Sequence, residues 1–154
     1  PLLKEMTLAD LIIAAGGFVD GKSMAAAFAL GAEGIQMGTR MVSAKESPVH
    51  SNWKESIVKA QETDTVFLNK FHSPALRALK TEKTSALEKA PERNIMGDFG
   101  DPIKLYFEGD MEAAIPLSGQ VAGRIESIEP VEVILDNVKK EFFTALESLS
   151  RKYL

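Results

Sequence analysis

The sequence lacks cysteine, has only two histidines and contains no apolar run long enough to cross a bilayer. Without cysteine there is no disulfide, thiolate metal site or cysteine nucleophile, which is compatible with a reducing compartment. A membrane-spanning helix needs about 20 apolar residues, and the opening PLLKEMTLAD lacks the basic-then-apolar order of a signal peptide. The sequence therefore predicts a cytoplasmic protein that neither spans nor binds a membrane.

An excess of charge of one sign is also missing, because 18 basic and 22 acidic residues are interspersed and give a formal net charge of −4. No basic face for nucleic acid is present, so small molecules are the expected partners. The length of 154 residues and the hydrophobic content of 45% are enough for one domain with a buried core.

Two short apolar runs each end in a glycine break. The first run, Leu11–Ala15, is closed by Gly16 and Gly17, and its unbroken apolar character is typical of a strand that is buried on both faces. The second run, Ile35–Met37, is cut by Gly38. We predict that the two runs form adjacent parallel strands.

The segment between the two runs, GKSMAAAFALGA, is rich in helix formers and predicts a helix from about Gly21 to Leu30. Asp20 or Ser23 is placed to cap the start of this helix, and Gly31 is placed to end it. The whole is a compact βαβ unit, whose crossover is expected to be right-handed.

Three further segments have residue patterns that predict their secondary structure. HSNWKESIVKAQ carries apolar residues at helical spacing and predicts one amphipathic helix. Residues 81–109 are polar and predict an irregular excursion with one short helix. After Pro130, which suits a first helical turn, apolar residues recur every three or four positions and predict a long C-terminal helix.

The two glycine breaks are suited to binding a phosphate group, which needs several backbone N–H groups at close range. In an eight-stranded β/α barrel, the loops after the seventh and eighth strands commonly build such a site. Gly16 and Gly17 would offer amides from one loop. Gly38 and Thr39 would offer them from the next loop, with the Thr39 hydroxyl as an extra donor. Equally open is the interpretation that the glycines only form tight turns and that Thr39 caps a short helix.

Several blocks of the sequence resemble one known family. They are DTV, PALRAL, EGDMEAAIPLSGQVAGRI, EPVEVI and, most extensively, IIAAGGFVDGKSMAAAFALGAEGIQMGTRMVSAKESPVHSNWKESIVKA. In order and spacing they resemble the C-terminal half of the FMN-dependent barrels that include nitronate monooxygenases and the flavin-containing enoyl-acyl-carrier-protein reductase II. The resemblance implies an α/β fold, namely the C-terminal part of a TIM (β/α)8 barrel with a long C-terminal helix.

The resemblance also implies residue roles. Gly16 and Gly17 would line the FMN phosphate after strand seven, and Gly38 and Thr39 would do so after strand eight. In the family, the SGQ block returns to the flavin side of the barrel, so Gln120 is a further candidate contact. The alternative for this block is a loop packed under the C-terminal helix.

No catalytic residue can be carried over from the family. Its proposed catalytic histidine follows a Gly-Gly pair in the preceding half of the barrel, whereas Phe18 follows the pair here. His50 and His72 are expected to have surface or supporting roles, with a role near the substrate as the alternative for His72. No metal site is predicted, because Asp20 and Glu46 lie at no ligand spacing from a histidine and helix capping accounts for Asp20.

Two activities share this scaffold: oxidation of nitronates by oxygen, and reduction of an enoyl thioester with NADH as the electron donor. An inactive FMN-binding or scaffold half-barrel is a third alternative. The expected partners are a small-molecule substrate or an acyl thioester and the missing N-terminal half of the barrel, with a homodimer as a candidate assembly.

The chain is expected to be the C-terminal portion of one barrel domain, because a closed barrel of this type needs about 200 residues or more. Within residues 1–154 we expect the last β/α units in 1–62, an irregular excursion that returns to the active-site side in 63–129, and the C-terminal helix in 130–154.

Overall fold

A computed structural model describes residues 11–154, which divide into two compact units. The first unit comprises the chain up to Met37 together with Pro130–Leu154, and the second comprises Gly38–Glu129. No helix in the described part of the chain is both long and apolar enough to cross a membrane.

The first unit contains the predicted βαβ arrangement. Strand β1 (Ile13–Ala15) pairs in parallel with strand β2 (Gly34–Gln36), and helix α1 (Gly21–Ala29) connects them. The register places Ile13 opposite Gly34. The parallel pairing and the connecting helix are therefore confirmed, with strand ends shifted by one or two residues.

Local signals fix the ends of helix α1 as predicted. Asp20 is the N-cap, and its carboxylate accepts the Ser23 backbone N–H at 2.8 Å. At the other end, Gly31 follows the C-cap Leu30 with φ +102°, in the left-handed region that favours glycine.

The long C-terminal helix is helix α5 (Val131–Tyr153). In the second unit, α2 spans Thr39–Val42, α3 spans Ser51–Lys59 and α4 spans Glu82–Glu88. Helix α5 packs on α1 in the first unit, where the Phe28 and Phe142 rings meet edge to face at 5.2 Å. Pro130 takes the N-cap position of α5, so the prediction of a long C-terminal helix is confirmed.

The prediction that β1 is buried on both faces is wrong for this chain. Leu11 and Ile13 are 60% and 49% exposed. The described residues place only β1 and β2 in this sheet, so no third strand covers its faces or edges. The prediction that an upstream half of the barrel covers them stays a prediction.

The second unit contains a β-hairpin that the sequence did not predict. Strand β3 (Thr65–Leu68) pairs antiparallel with β4 (Leu76–Leu79). Alternate side chains of the hairpin point into a small core. Its buried members are Val66, Leu68, Ala78, Ile95 and Ile115.

The two helices predicted in the second unit are both present. Helix α3 (Ser51–Lys59) is the amphipathic helix, with Trp53 and Ile57 on its buried face. Residues 81–109 contain one α-helix, α4 (Glu82–Glu88), as predicted. They also contain a 3-10 turn (Ile95–Asp98) and a short π-helix (Lys104–Glu108) that were not predicted.

Candidate functional site

The first glycine break has a backbone that only glycine adopts easily. Gly16 and Gly17 directly follow β1 with φ values of +86° and +84°. A Cβ atom added at Gly16 would meet no atom within 4 Å, so the requirement for glycine there comes from the backbone rather than from crowding. A tight turn and a phosphate-binding loop both agree with this geometry.

The second glycine break differs, because its backbone does not require glycine. Gly38 has φ −94° and ψ −76°, which other residues adopt as well. A Cβ atom added at Gly38 would also meet no atom within 4 Å. Neither a left-handed backbone nor crowding among residues 11–154 therefore requires glycine at this position, and the open side of the backbone leaves room for a bound group to approach.

The amides beside Gly38 are available to a ligand. Within residues 11–154, the backbone N–H groups of Gly38 and Thr39 donate no hydrogen bond. Thr39 is the first residue of α2 (Thr39–Val42) rather than its cap, which is Gly38. The capping role considered for Thr39 is therefore not observed, and the residues present fit an anionic phosphate.

The Thr39 side chain instead contacts the SGQ block. Its Oγ1 accepts the backbone N–H of Gly119 at 2.7 Å. Gly119 is the N-cap of a 3-10 helix, Gln120–Arg124. The block thus lies directly against the second glycine break, and the Gln120 side chain is exposed there.

An ion pair between a buried arginine and a partly exposed glutamate holds the turn that follows Gly38. Arg40 is only 7% exposed, and its guanidinium donates to the carboxylate of Glu129 at 2.6 Å and to the carbonyl of Ser127 at 2.7 Å. The Lys45 N–H donates to the Glu129 carbonyl at 2.9 Å. These contacts fix α2 against the end of the second unit.

Ser118, the first residue of the SGQ block, is 5% exposed, and its hydroxyl has no hydrogen-bond partner among residues 11–154. A buried polar group without a partner costs about 1–3 kcal/mol. We therefore expect Ser118→Ala to raise the free energy of unfolding by about 1 kcal/mol, measured by denaturant titration. A loss of stability would show that this hydroxyl has a partner in the folded protein.

Each of the two histidines makes a local contact with the backbone. The His50 ring caps α3 by accepting the Asn52 N–H at 3.1 Å. His72 is exposed, and its Nε2 lies 2.9 Å from the carbonyl of Glu92. No group of three or more His, Cys, Asp or Glu side chains in the described part of the chain could hold a metal ion.

The structure thus brings Thr39 together with the SGQ block. Gly16 and Gly17 belong to the first unit and Gly38 to the second, so the joint binding of one phosphate by all of them stays a prediction. The role of Arg40, the chain neighbour of Thr39, was not identified from the sequence. Its only signal was its position directly after Thr39.

The family model described as nitronate monooxygenase matches residues 11–141. The chain belongs to the nitronate monooxygenase family. A curated relative, a probable nitronate monooxygenase of Staphylococcus aureus, is 32% identical over 133 residues. That match covers 82% of this chain but 37% of the relative, so the chain spans well under half of the relative's length.

Solved structures place the chain in the same fold. FabK from Thermotoga maritima is 41% identical with a TM-score of 0.86, and the match covers 96% of this chain and 48% of FabK. Nitroalkane oxidase from Streptomyces ansochromogenes matches with a TM-score of 0.76, and the match covers 96% of this chain and 43% of the oxidase. Because the two sequences are only 21% identical, this match shows the fold alone. The predicted fold class, the C-terminal part of a TIM barrel, is confirmed.

Proposed function

We propose that the protein containing this chain is an FMN-dependent oxidoreductase that oxidises alkyl nitronates with oxygen. The observation that carries the proposal is the family match over residues 11–141, joined by a curated relative of the corresponding name. Because the chain spans 37% of that relative, the activity of the whole protein is inferred from its C-terminal part.

We assign the phosphate of FMN to the two glycine breaks. Gly38 and Thr39 offer unused amides beside open space, and Gly16 and Gly17 offer a loop with left-handed backbone. Gln120 is an additional proposed contact, supported by the hydrogen bond between its neighbour Gly119 and Thr39.

The residues of this chain have a binding role in the proposal. Each amide that donates to the dianion supplies a charge-assisted hydrogen bond worth about 1.5–3 kcal/mol, so several amides hold it without a lysine. When bound, FMN supplies the redox chemistry. The catalytic histidine proposed for the family lies in the preceding half of the barrel, so we propose that the catalytic residue lies upstream of this chain. His50 caps a helix, and His72 contacts an exposed carbonyl.

The second candidate is reduction of an enoyl thioester on acyl carrier protein, with NADH as the electron donor. It is favoured by the 41% identity to FabK from Thermotoga maritima, which exceeds the 32% identity to the curated nitronate monooxygenase. The same phosphate site would serve this reaction, because FMN carries out the redox step in both.

A third candidate belongs to another class, a protein that binds FMN without turnover. In such a protein the two glycine breaks would bind FMN, and no substrate would react. Tight stoichiometric FMN binding without activity on either substrate would identify it.

Two assays separate these candidates. The purified protein is expected to absorb at about 450 nm, as flavoproteins do, and its intact mass establishes how much of the barrel is present. Aerobic turnover of propyl-2-nitronate without NADH supports the leading proposal. Oxidation of NADH that depends on crotonyl thioester, without nitronate turnover, would replace it with the second candidate.

A further inference from the structure

Two adjacent residues of α2 hold opposite ends of one segment, which we call the return segment (residues 119–129). At its start, the Gly119 N–H donates to Thr39 Oγ1 at 2.7 Å. At its end, Arg40 donates to the Ser127 carbonyl and to the Glu129 carboxylate. The turn that carries the proposed phosphate amides is therefore also the attachment of the return segment.

The hydroxyl of Thr39 has one proton still to donate. A threonine hydroxyl is one donor and two acceptors, and the bond from Gly119 uses an acceptor position. Among residues 11–154 the hydroxyl donates to no acceptor. Its proton is thus free for a group placed beside the Gly38 and Thr39 amides.

We propose that Thr39 couples phosphate binding to the order of the return segment. The inference rests on the proposed FMN site. The hydroxyl donates to the phosphate and accepts the Gly119 N–H, and a hydroxyl polarised by an anion is a stronger acceptor for a second donor. By thermodynamic linkage, FMN then stabilises the Gly119 contact to the same extent that this contact stabilises bound FMN.

Arg40 acts in this coupling as a positioning residue. Its side chain is buried and bound to both Ser127 and Glu129, so the turn containing Thr39 keeps one orientation relative to the return segment. Weakening the ion pair should loosen the phosphate contact while leaving any contact to the flavin ring system unaffected.

The first test compares FMN with riboflavin, which has the same ring system but no phosphate. Hydrogen exchange of the Gly119 amide is measured in both complexes. FMN is expected to slow exchange about fivefold more than riboflavin, a coupling at the low end of the usual range. Thr39→Val should remove this difference, and Thr39→Ser, which keeps the hydroxyl, should retain it.

The second test weakens the ion pair of Arg40 by changing its partner, Glu129. Glu129→Gln is expected to lower the ratio of FMN affinity to riboflavin affinity about fivefold. A purely structural effect would weaken both ligands equally and leave the ratio unchanged. Asp98→Asn is the matched control, because it weakens another ion pair of the same unit, the 2.6 Å pair between Asp98 and Arg93. This pair is distant from Thr39 in sequence, so the ratio should not change.

The outcomes separate this inference from the FMN proposal. If the wild-type protein binds no FMN, both are overturned. If it binds FMN but Gly119 exchanges equally in the FMN and riboflavin complexes, the coupling alone is overturned. Persistence of the difference in Thr39→Val would also overturn it, since the hydroxyl would then not be the link.

Discussion

Gly38→Val is expected to weaken FMN binding by about 100-fold, which corresponds to 2.8 kcal/mol at 1.4 kcal/mol per tenfold change. The valine side chain would occupy the open space beside the Gly38 and Thr39 amides, into which an added Cβ projects without meeting an atom within 4 Å. The phosphate could then no longer reach those donors, and one or two charge-assisted hydrogen bonds of about 1.5–3 kcal/mol each would be lost. Fluorescence titration of the flavin-free protein with FMN measures the change.

The same substitution should barely affect folding, which separates binding from stability. Gly38 has φ −94°, so valine introduces no left-handed strain, and its Cβ would meet no atom of residues 11–154 within 4 Å. The free energy of unfolding of the flavin-free protein should change by less than about 1 kcal/mol. Gly97→Val is the matched control, because Gly97 lies in the same unit with equal room and no positive φ. Full FMN affinity in Gly38→Val would mean that this glycine serves the turn alone.

Local pattern was enough to predict the βαβ unit, the amphipathic helix α3 and the long C-terminal helix α5. The caps of α1 depend on Asp20, Ser23 and Gly31, all within a few residues of the helix ends, where sequence signals act directly. The burial of β1 was not predictable in the same way. An unbroken apolar run indicates that a strand is buried in the complete fold, whereas Ile13 is 49% exposed and the described residues place no third strand beside β1 and β2.

The hairpin and the supporting contacts of the site lay beyond local pattern. Strands β3 and β4 have four residues each, too short for alternation to distinguish a strand from a loop. Thr39 meets Gly119 across 80 positions, and Arg40 meets Glu129 across 89. Such pairs carry no mutual spacing signal, so the sequence identified the glycine breaks and not the contacts that support them.

Gly21→Ala is expected to lower the free energy of unfolding by about 3 kcal/mol, the upper part of the usual range for overpacking. Gly21 begins α1 where it crosses α5, and its amide donates to the Glu141 carboxylate at 2.9 Å. An added Cβ would lie 2.1 Å from the Phe142 nitrogen and 2.3 Å from the Val138 oxygen. Both are backbone atoms of a long helix, so no side-chain rotation can relieve the contact and the two helices must separate.

Gly38→Ala is the natural comparison for this variant, because the same methyl group is added where the structure has room. Where the backbone suits both residues, replacing glycine by alanine raises stability by about 0.4–1 kcal/mol, because it lowers the conformational entropy of the unfolded chain. The two variants should therefore shift the denaturant midpoint in opposite directions. The separation forced by Gly21→Ala should also break the Glu141 contact and bring the Phe28 and Phe142 rings out of their edge-to-face arrangement. An unchanged midpoint for Gly21→Ala would mean that the backbones of α1 and α5 lie farther apart than this overlap between the added Cβ and the Phe142 nitrogen implies.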